Sequence, residues 1–339
     1  MGKRKLTRRQ AWRIEKIQAE RESRVERRVS KADEALSEGD LGPEELGLII
    51  AHYGTQVEVE SLTGDHSGTT QRAHIRANIE QLVTGDKVVW REGNPTGVVV
   101  ARQDRGSLLQ RPDSFGKLKP VAANVDYMVI VVAPLPTPYA NLIDRYLVAA
   151  HHSSLEPVLL LNKIDLLDQD NSATINAMLA IYEDIGIKLI RASTKSESGM
   201  EELTSVLRNH ISVFVGQSGV GKSSLINTLL PDSDLKVGSL SASTDKGRHT
   251  TTTAQLIHFP SGGDLIDSPG IREFGLWHMN ADQIAAGFID FHPYLGHCKF
   301  RDCTHGADPR CALQQAVSDG ELSALRLNSY HNLVNSLNE

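Results

Sequence analysis

The chain has 339 residues, a formal net charge of −6 and three cysteines. That length suits two or three domains, and the lack of an apolar run of about eighteen residues excludes a membrane-spanning helix. Without a targeting segment or paired cysteines, the chain is expected in the cytoplasm.

The first predicted segment is a basic arm, residues 1–44. Residues 1–31 carry twelve Lys and Arg against four Glu, a local charge of +8 on a chain that is negative overall. This asymmetry predicts a polyanionic partner, bound with a steep dependence on salt. Thr7 and Gln10 form a candidate capping box, so part of the arm is expected to be helical. The alternative is a solvated charged tail.

Short alternating strands predict a small β-barrel over residues 45–112. Turns with Gly, Asp and Asn separate the expected strands, which are 48–52, 56–61, 72–77, 87–90 and 97–101. Several short strands in about 65 residues suit an OB-fold, which presents loops and one face to oligonucleotides. Arg91, Arg102 and Arg105 are candidates for facing RNA, although charged barrel surfaces are usually just solvated.

A guanine-binding motif follows an apolar strand predicted at 157–161. Its four residues are Asn162, Lys163, Ile164 and Asp165. They come at the strand's carboxyl end, the edge at which open α/β sheets bind ligands. The Asp165 carboxylate can accept hydrogen bonds from N1–H and N2–H₂ of guanine, a pair of donors that adenine lacks. Asn162 is expected to tie neighbouring loops together, and the Lys163 stem to cover the base.

A phosphate loop is predicted between the strand Ile211–Val215 and a helix that begins near Ser223. The sequence fits G-x-x-x-x-G-K-[ST], and the residues expected to bind nucleotide are Gly216, Gln217, Ser218, Gly219, Val220, Gly221, Lys222, Ser223 and Ser224. Backbone N–H groups of such a loop turn toward an anion at a helix N-terminus. Lys222 is expected to reach the β and γ phosphates, and the Ser223 hydroxyl to bind Mg²⁺.

The base motif precedes the phosphate loop, which reverses the order of an ordinary GTPase. A circular permutation keeps the same sheet and moves the termini, so the order predicts a permuted GTPase domain. Ser193, which follows a strand predicted at 188–190, belongs to a loop of the type that contacts guanine O6. Tyr127–Val132 is expected to begin this domain, with crossover helices at 141–150 and 170–185.

Two further segments are predicted to surround Mg²⁺ and the γ-phosphate. Asp267 is expected to hold Mg²⁺ from the end of a short strand, and the Gly270 N–H to meet the γ-phosphate. A run of four threonines before it is expected to close on both in the GTP state. Thr251 is favoured as the Mg²⁺ residue, with Thr250 close behind. The alternative for this run is an exposed edge strand.

The three cysteines lie within fourteen residues and predict a structural zinc site. Its ligands would be Cys298, Cys303, His305 and Cys311, in the pattern C-x₄-C-x-H-x₅-C. An odd number of cysteines cannot form a closed disulfide set. His297 and His292 are rival ligands, but each would displace a better spaced partner. Beyond this cluster, an amphipathic helix is expected to pack on the core through Leu322, Leu325, Leu333 and Leu337.

These motifs together resemble the RsgA/YjeQ family of circularly permuted GTPases. The resemblance covers the base motif, GQSGVGKSS, GRHTTTT, DSPGIREFGLW and the cysteine cluster, over roughly residues 45–335. It implies a multidomain α/β protein: an OB-fold barrel at 45–112, a permuted P-loop GTPase domain at 113–275, and a mostly helical zinc-binding domain at 276–339. It also implies a GTPase that the small ribosomal subunit stimulates and that acts late in the assembly of that subunit.

The residue expected to orient the attacking water is His249. Ile271 stands where Ras-like enzymes have a water-orienting Gln, and an apolar side chain cannot orient water. His249 is a polar substitute in the threonine segment, and the resemblance also points to it as catalytic. Lys222 and Thr251 are the other residues expected to be catalytic. The alternative is a surface or packing histidine.

The predicted function is GTP hydrolysis by a protein that binds the small ribosomal subunit and its rRNA in the GTP state and is released after hydrolysis. The expected cofactors are one structural Zn²⁺, and Mg²⁺ bound with GTP. The chain is expected to act as a monomer, away from membranes. The alternative is an RNA-binding assembly scaffold in which GTP sets the conformation and hydrolysis is incidental. A small-molecule kinase is a third, weaker interpretation.

Overall fold

The computed structural model describes residues 41–112, 117–196, 198–231, 254–267, 279–306 and 308–337. These residues fall into two compact units, divided between Arg105 and Gly106. Residues 1–40 of the basic arm, together with His249, Thr250, Thr251 and Gly270, lie outside the described residues. None of the helices in the described ranges has the length and apolar run that a bilayer crossing needs.

The first unit contains a closed five-stranded barrel. Its strands are β1 (Leu41–His52), β2 (Gln56–Ser61), β3 (Thr70–Ile75), β4 (Lys87–Gly93) and β5 (Gly97–Arg102). The strand β1 pairs with both β2 and β4, and β3 runs parallel to β5, so the order β1-β2-β3-β5-β4 returns to β1. Five strands closed in this way form the predicted OB-like barrel.

The barrel interior is filled by alternate residues of its strands. Val57 and Val59 of β2 point inward, as does Trp90 of β4, and all three are buried. Gly47 passes so close to this core that a Cβ there would lie 2.4 Å from Val59 Cγ1 and 2.7 Å from the Trp90 ring. The alternation of apolar and polar residues in the sequence therefore matches side chains that point alternately into and out of the barrel.

The three arginines considered for RNA binding each contact the barrel itself. Arg105 forms an ion pair with the fully buried Asp86, with Nε 2.6 Å from Oδ1. Arg91 donates from Nε to the Gly42 carbonyl oxygen at 2.7 Å, and Arg102 lies 3.4 Å from the exposed Glu80 carboxylate. Arg105 and Arg91 therefore stabilise the barrel, since their guanidinium groups already have a buried carboxylate or a backbone carbonyl as partner.

The second unit is built on a mostly parallel sheet. After a hairpin of β6 (Leu108–Pro112) and β7 (Leu118–Ala123), strands and helices alternate: β8 (Tyr127–Val132), α1 (Ala140–His152), β9 (Glu156–Leu161), α2 (Ser172–Asp184), β10 (Lys188–Arg191), α3 (Met200–Leu207), β11 (Ile211–Val215) and α4 (Lys222–Leu229). Two short strands follow, β12 (Gln255–His258) and β13 (Asp264–Asp267). The sequence did not predict the hairpin or β12.

Within this unit the strand order is β10-β9-β8-β11-β13-β12. All neighbours are parallel except β12, which runs antiparallel to β13. The chain steps outward from β8 through β9 to β10, then returns to the other side of β8 with β11. The order thus reverses between β8 and β11, and ligands bind at the carboxyl ends of the strands at such a reversal.

The C-terminal part of this unit is helical, as predicted. It contains α5 (Ala281–Ala286), α6 (Ala312–Ser318) and α7 (Ala324–Asn335), which begins two residues after Leu322. The helix α7 packs on the core through Leu327, Tyr330 and Leu333, whereas Leu337 beyond its end is 36% exposed. The buried residues Val148 and Ala149 of α1 belong to this same core. The helix α1 is therefore shared between the parallel sheet and the C-terminal helices.

A buried ion cluster also joins α1 to α7. The Arg326 guanidinium, 1% exposed, donates to Asp144 of α1 through Nη1 and to both oxygens of Asp290 through Nε and Nη2. Its charged plane also lies over the Phe288 ring, with Cζ 4.4 Å from the ring centroid. Two carboxylates buried around one guanidinium depend on it for compensation.

Replacing Arg326 is therefore expected to destabilise the protein strongly. The substitution Arg326→Ala leaves Asp144 and Asp290 without their cation, and breaking a buried pair in this way costs about 3–5 kcal/mol. Urea unfolding followed by circular dichroism would measure the loss. Arg301→Ala, at an exposed arginine of the same region, is the control and is expected to change the free energy of unfolding by under about 0.5 kcal/mol. Equal losses in the two variants would contradict the ion cluster's role.

Candidate nucleotide site and metal cluster

The predicted phosphate loop connects β11 to the N-terminus of α4. All five residues of β11 are buried, which holds the start of the loop in place. Gly216, Gly219 and Gly221 have φ angles of 137°, 85° and 94°, a region that favours glycine. A Cβ on Gly216 would also lie 2.2 Å from the Val131 carbonyl oxygen of β8. The backbone conformation therefore favours glycine at all three positions, and at Gly216 the space available also requires it.

The start of α4 leaves backbone donors for an anion. Gly221 is the N-cap and offers no side chain, and the first helical bond runs from the Leu225 N–H to the Gly221 carbonyl. The N–H groups of Ser223 and Ser224 precede that bond and have no partner within the helix. Lys222 folds back over the loop, donating from Nζ to the Gly216 and Gln217 carbonyls at 2.6 and 2.8 Å. This arrangement is suited to phosphate groups.

The base motif lies at the end of β9, and its first two residues reach the phosphate loop. Asn162 is 1% exposed, and its Nδ2 donates to the Val220 carbonyl at 2.8 Å. Lys163 has a φ of 58° and donates from Nζ to the Gly219 carbonyl at 2.5 Å. Residues 58 positions apart in the chain are thus tied together, as expected for loops that share one ligand.

Asp165 is oriented by the neighbouring loop. The Ser193 hydroxyl donates to Asp165 Oδ1 at 2.6 Å, and Lys195 Nζ lies 3.4 Å from Oδ2. The Ser193 hydrogen bond, with the Lys195 charge, lowers the pKa of Asp165 below its usual value. Its carboxylate is therefore ionised at neutral pH and able to accept hydrogen bonds. The hydroxyl of Ser193, expected near guanine O6, is thus engaged with Asp165, while Lys195 is a contact that the sequence did not predict.

A cavity of about 670 Å³ opens beside the phosphate loop. Lys222, Ser223 and Asp267 all line it, which brings the predicted phosphate and Mg²⁺ residues to one place. Lys163 also lines it, whereas Asp165 and Ser193, both described, fall outside the lining. Ile164 begins a short 3-10 turn (Ile164–Leu166) that continues the base motif.

Of the cavity residues that the sequence did not predict, three lie in α1 or just before it. They are Tyr139 and two residues of α1, Leu142 and Tyr146, which line the same cavity as the phosphate loop. The spacing of four between Leu142 and Tyr146 places both on one face of α1. That spacing was visible in the sequence, but it is equally typical of a helix that packs on a hydrophobic core.

The cysteine cluster converges on one point. The Sγ atoms of Cys298, Cys303 and Cys311 lie 3.5, 3.7 and 3.6 Å from His305 Nδ1, and those of Cys298 and Cys311 are 3.9 Å apart. A tetrahedral zinc ion with ordinary bond lengths separates sulfur from nitrogen by about 3.5 Å and sulfur from sulfur by about 3.8 Å. The donor set and its spacing therefore fit zinc.

The surrounding residues hold this cluster in place. The backbone N–H of Ala312 points to Cys298 Sγ at 3.3 Å, and a ring nitrogen of His331 contacts the His305 carbonyl oxygen at 2.7 Å. The rival ligand His292 contacts the Ala286 carbonyl oxygen instead, through Nε2 at 2.7 Å. Among the described residues, the predicted four form the single group able to hold a metal ion in this way.

Comparison with known proteins gives one family. The family model described as "RsgA GTPase" matches residues 102–277. The curated protein "Small ribosomal subunit biogenesis GTPase RsgA" of Ectopseudomonas mendocina is 59% identical over 100% of this chain and 99% of its own. The proteins of the same name from Pseudomonas fluorescens (strain SBW25) and Azotobacter vinelandii are each 58% identical, with the same coverage.

Two solved structures agree with this result. YjeQ from Thermotoga maritima superimposes with a TM-score of 0.72 at 30% identity, covering 87% of this chain and 99% of that one. YloQ, described as a circularly permuted GTPase, gives a TM-score of 0.69 at 28% identity, covering 87% of this chain and 96% of that one. The reversed motif order, the strand order and these matches agree, and the chain belongs to the RsgA family of circularly permuted GTPases.

Proposed function

We propose that this GTPase binds GTP in the cavity beside β11 and acts in maturation of the small ribosomal subunit. The observation that carries the nucleotide site is the contact between base motif and phosphate loop, in which Asn162 and Lys163 both reach loop carbonyls. The ribosomal role is supported by the names of relatives that are 57–59% identical across almost the whole chain. The scaffold alternative is not favoured, because those relatives are named as GTPases.

In this proposal each site residue has one task. The ammonium of Lys222 and the N–H groups at the start of α4 bind the β and γ phosphates, while Asp165 accepts from the guanine edge. Ser223 and Asp267, which line one cavity, hold Mg²⁺ together with Thr251. Mg²⁺ neutralises charge that develops on the transferred phosphoryl group. His249 orients the attacking water, and the Gly270 N–H binds the γ-phosphate.

The remaining parts of the chain bind the ribosomal subunit. The barrel and the basic arm supply surfaces for rRNA, and one Zn²⁺ held by the Cys₃His cluster keeps the C-terminal helices folded. Binding to rRNA is strongest with GTP, and hydrolysis releases the protein into the cytoplasm. Because the arm acts through phosphate contacts, its contribution falls steeply as salt rises.

GTP turnover with and without purified small subunits tests this function. Strong stimulation by small subunits, for GTP and not for ATP, is the expected result, and large subunits serve as the control. Slow turnover that ignores small subunits would overturn the ribosomal role. Equal use of ATP would overturn the assignment of Asp165 to guanine.

His249→Ala is expected to retain GTP binding but to lose subunit-stimulated hydrolysis. Removing a group that orients water reduces turnover by about a hundredfold, without changing the contacts that hold the nucleotide. The variant is therefore expected to stay bound to small subunits, as sedimentation after a chase with excess unlabelled wild-type protein would show. Release as fast as that of wild type would contradict a cycle driven by hydrolysis and support a scaffold.

A further inference from the structure

The loop that carries Ser193 is bonded to the base motif at two points. The Ser193 hydroxyl donates to Asp165 Oδ1 at 2.6 Å. The Ile164 N–H donates to the Ala192 carbonyl oxygen at 3.3 Å. The Ser193 oxygen itself accepts from the Lys195 N–H at 3.2 Å, which leaves its single proton for Asp165. A shift of the backbone at Ala192 or Ser193 would therefore move the group that orients Asp165.

Gly199 lies against this loop at the start of α3. It is the N-cap of that helix and has a φ of 72°, in the left-handed region that favours glycine. A Cβ there would lie 2.0 Å from the Arg191 carbonyl oxygen and 3.1 Å from Ala192 Cα. Directly before it in the chain, the Ser198 carbonyl oxygen accepts from the Ser193 N–H at 3.0 Å. The start of α3 therefore touches the backbone that leads from β10 into Ser193, with no side chain between them.

Both sides of this contact are fixed by other parts of the unit. The strand β10 pairs with β9 up to Arg191, which lies opposite Leu161. The helix α3 is anchored by Leu203 and Leu207, which are buried in the core beside the sheet. A Cβ on the glycine requires its distance to the Arg191 oxygen to grow from 2.0 Å to at least 3.0 Å, a shift of about 1 Å. Because both flanks are fixed, the loop between them must absorb this shift, which is large enough to break a hydrogen bond such as that of Ser193.

We propose that Gly199 is a positioning residue for guanine recognition, which lets α3 begin close enough to β10 for Ser193 to orient Asp165. Gly199 itself contacts neither the base nor the phosphates in this proposal. With a larger residue at this position, the Asp165 carboxylate loses its fixed partner and is aligned with the guanine edge for a smaller fraction of the time. The choice of base is therefore the property affected, while the phosphate loop keeps its own contacts. This inference rests on the nucleotide site proposed above.

The substitution Gly199→Ala tests this role through the preference for GDP over inosine diphosphate. Inosine lacks the N2 amine of guanine, so the ratio of the two affinities reports the hydrogen bond from that amine to Asp165. Both nucleotides are titrated into the same protein, so a loss of folded protein affects both affinities alike. Isothermal titration of wild type should give a ratio of about tenfold or more, the contribution of one hydrogen bond to a charged group. In Gly199→Ala the ratio is expected to fall about three- to tenfold, and a ratio equal to that of wild type would overturn the proposal.

Gly186→Ala is the matched control. Gly186 precedes the other end of β10 and has a φ of 87°, but among the described residues nothing lies within 4 Å of a Cβ built there. The control therefore introduces a similar backbone strain without the contact to Arg191. It should keep the wild-type ratio. A ratio that falls as far as in Gly199→Ala would overturn the proposal, because strain alone would then account for the loss.

Ser193→Ala gives a test that does not depend on how well Gly199→Ala folds. It removes the hydroxyl and leaves the backbone in place, and it should lower the ratio about as far as Gly199→Ala does. The double variant should show no further fall, because both changes act on one hydrogen bond. An unchanged ratio in Ser193→Ala, or an additive fall in the double variant, would overturn the proposal. Equal affinity of the wild-type protein for the two nucleotides would instead overturn the assignment of Asp165 to guanine, on which the proposal rests.

Discussion

Asp165→Asn is expected to weaken GDP binding about a hundredfold and to make the protein prefer xanthosine diphosphate. The ionised Asp165 accepts from two guanine donors, and hydrogen bonds to a charged group contribute about 1.5–3 kcal/mol each. An Asn side chain replaces one acceptor oxygen by an NH₂ group, which would face the N2–H₂ donors of guanine. Xanthine has a carbonyl oxygen at that position and pairs with the amide. The ratio of the two affinities should therefore change by about 10⁴.

Isothermal titration with both nucleotides measures this change. Asp168→Asn is the matched control, because Asp168 lies three residues further along the same loop and is exposed. Its Oδ1 accepts from the N–H groups of Asp170 and Asn171, so its role is local to the turn. The control should bind GDP normally and xanthosine diphosphate poorly. Unchanged GDP affinity in Asp165→Asn would show that the base is recognised elsewhere.

The elements around the nucleotide site were predictable because their sequence patterns are local. The buried run Ile211–Val215, the glycines after it and the helix that begins at Lys222 follow one another without interruption. The base motif likewise follows the buried end of β9. In such stretches a strand that is buried on both faces reads as a continuous apolar run, and the loop residues are fixed by backbone conformation. The contact between the two motifs was expected from their common ligand.

The contacts that join distant parts of the chain were not predictable in this way. Arg326 and Asp144 are 182 positions apart, and neither lies in a recognisable motif. The short strand β12 (QLIH) and the hairpin strands β6 (LLQRP) and β7 (LKPVAA) show no alternation of polar and apolar residues. Tyr146 looked like an ordinary residue of a crossover helix, because a helical face that lines a cavity has the same spacing as one that lines a core. These contacts depend on which distant residues meet in the folded chain, and a single sequence does not show that.

Loss of a zinc ligand is expected to unfold the C-terminal helices. In His305→Ala one of the four zinc ligands is missing. In small zinc domains the binding of structural zinc contributes about 10–16 kcal/mol to folding, which is as large as the free energy of unfolding of a typical domain. Zinc content should fall from one ion per chain to nearly none. Amide exchange in α6 and α7 should become fast, while the barrel, a separate compact unit, should keep its protection.

His297→Ala is the matched control for this experiment. His297 lies one residue before Cys298 and is exposed, and it is not among the four residues whose ligand atoms converge. This variant should retain one zinc ion per chain and normal exchange in α7. Equal zinc loss in both variants would mean that His297 is also needed as a ligand. Full zinc content and slow exchange in His305→Ala would contradict a structural role for the metal.

The same variant also tests how far the effect of zinc extends. Val148 and Ala149 of α1 lie in the core that zinc is expected to support, and Tyr146 of the same helix lines the cavity beside the phosphate loop. Unfolding of the C-terminal helices removes the packing on one face of α1 and should weaken GDP binding severalfold in His305→Ala. The β8–β11 sheet should remain folded, because its own core lies between strands and helices α3 and α4. GDP affinity equal to that of wild type, in protein shown to lack zinc, would place the phosphate loop outside the influence of the C-terminal helices.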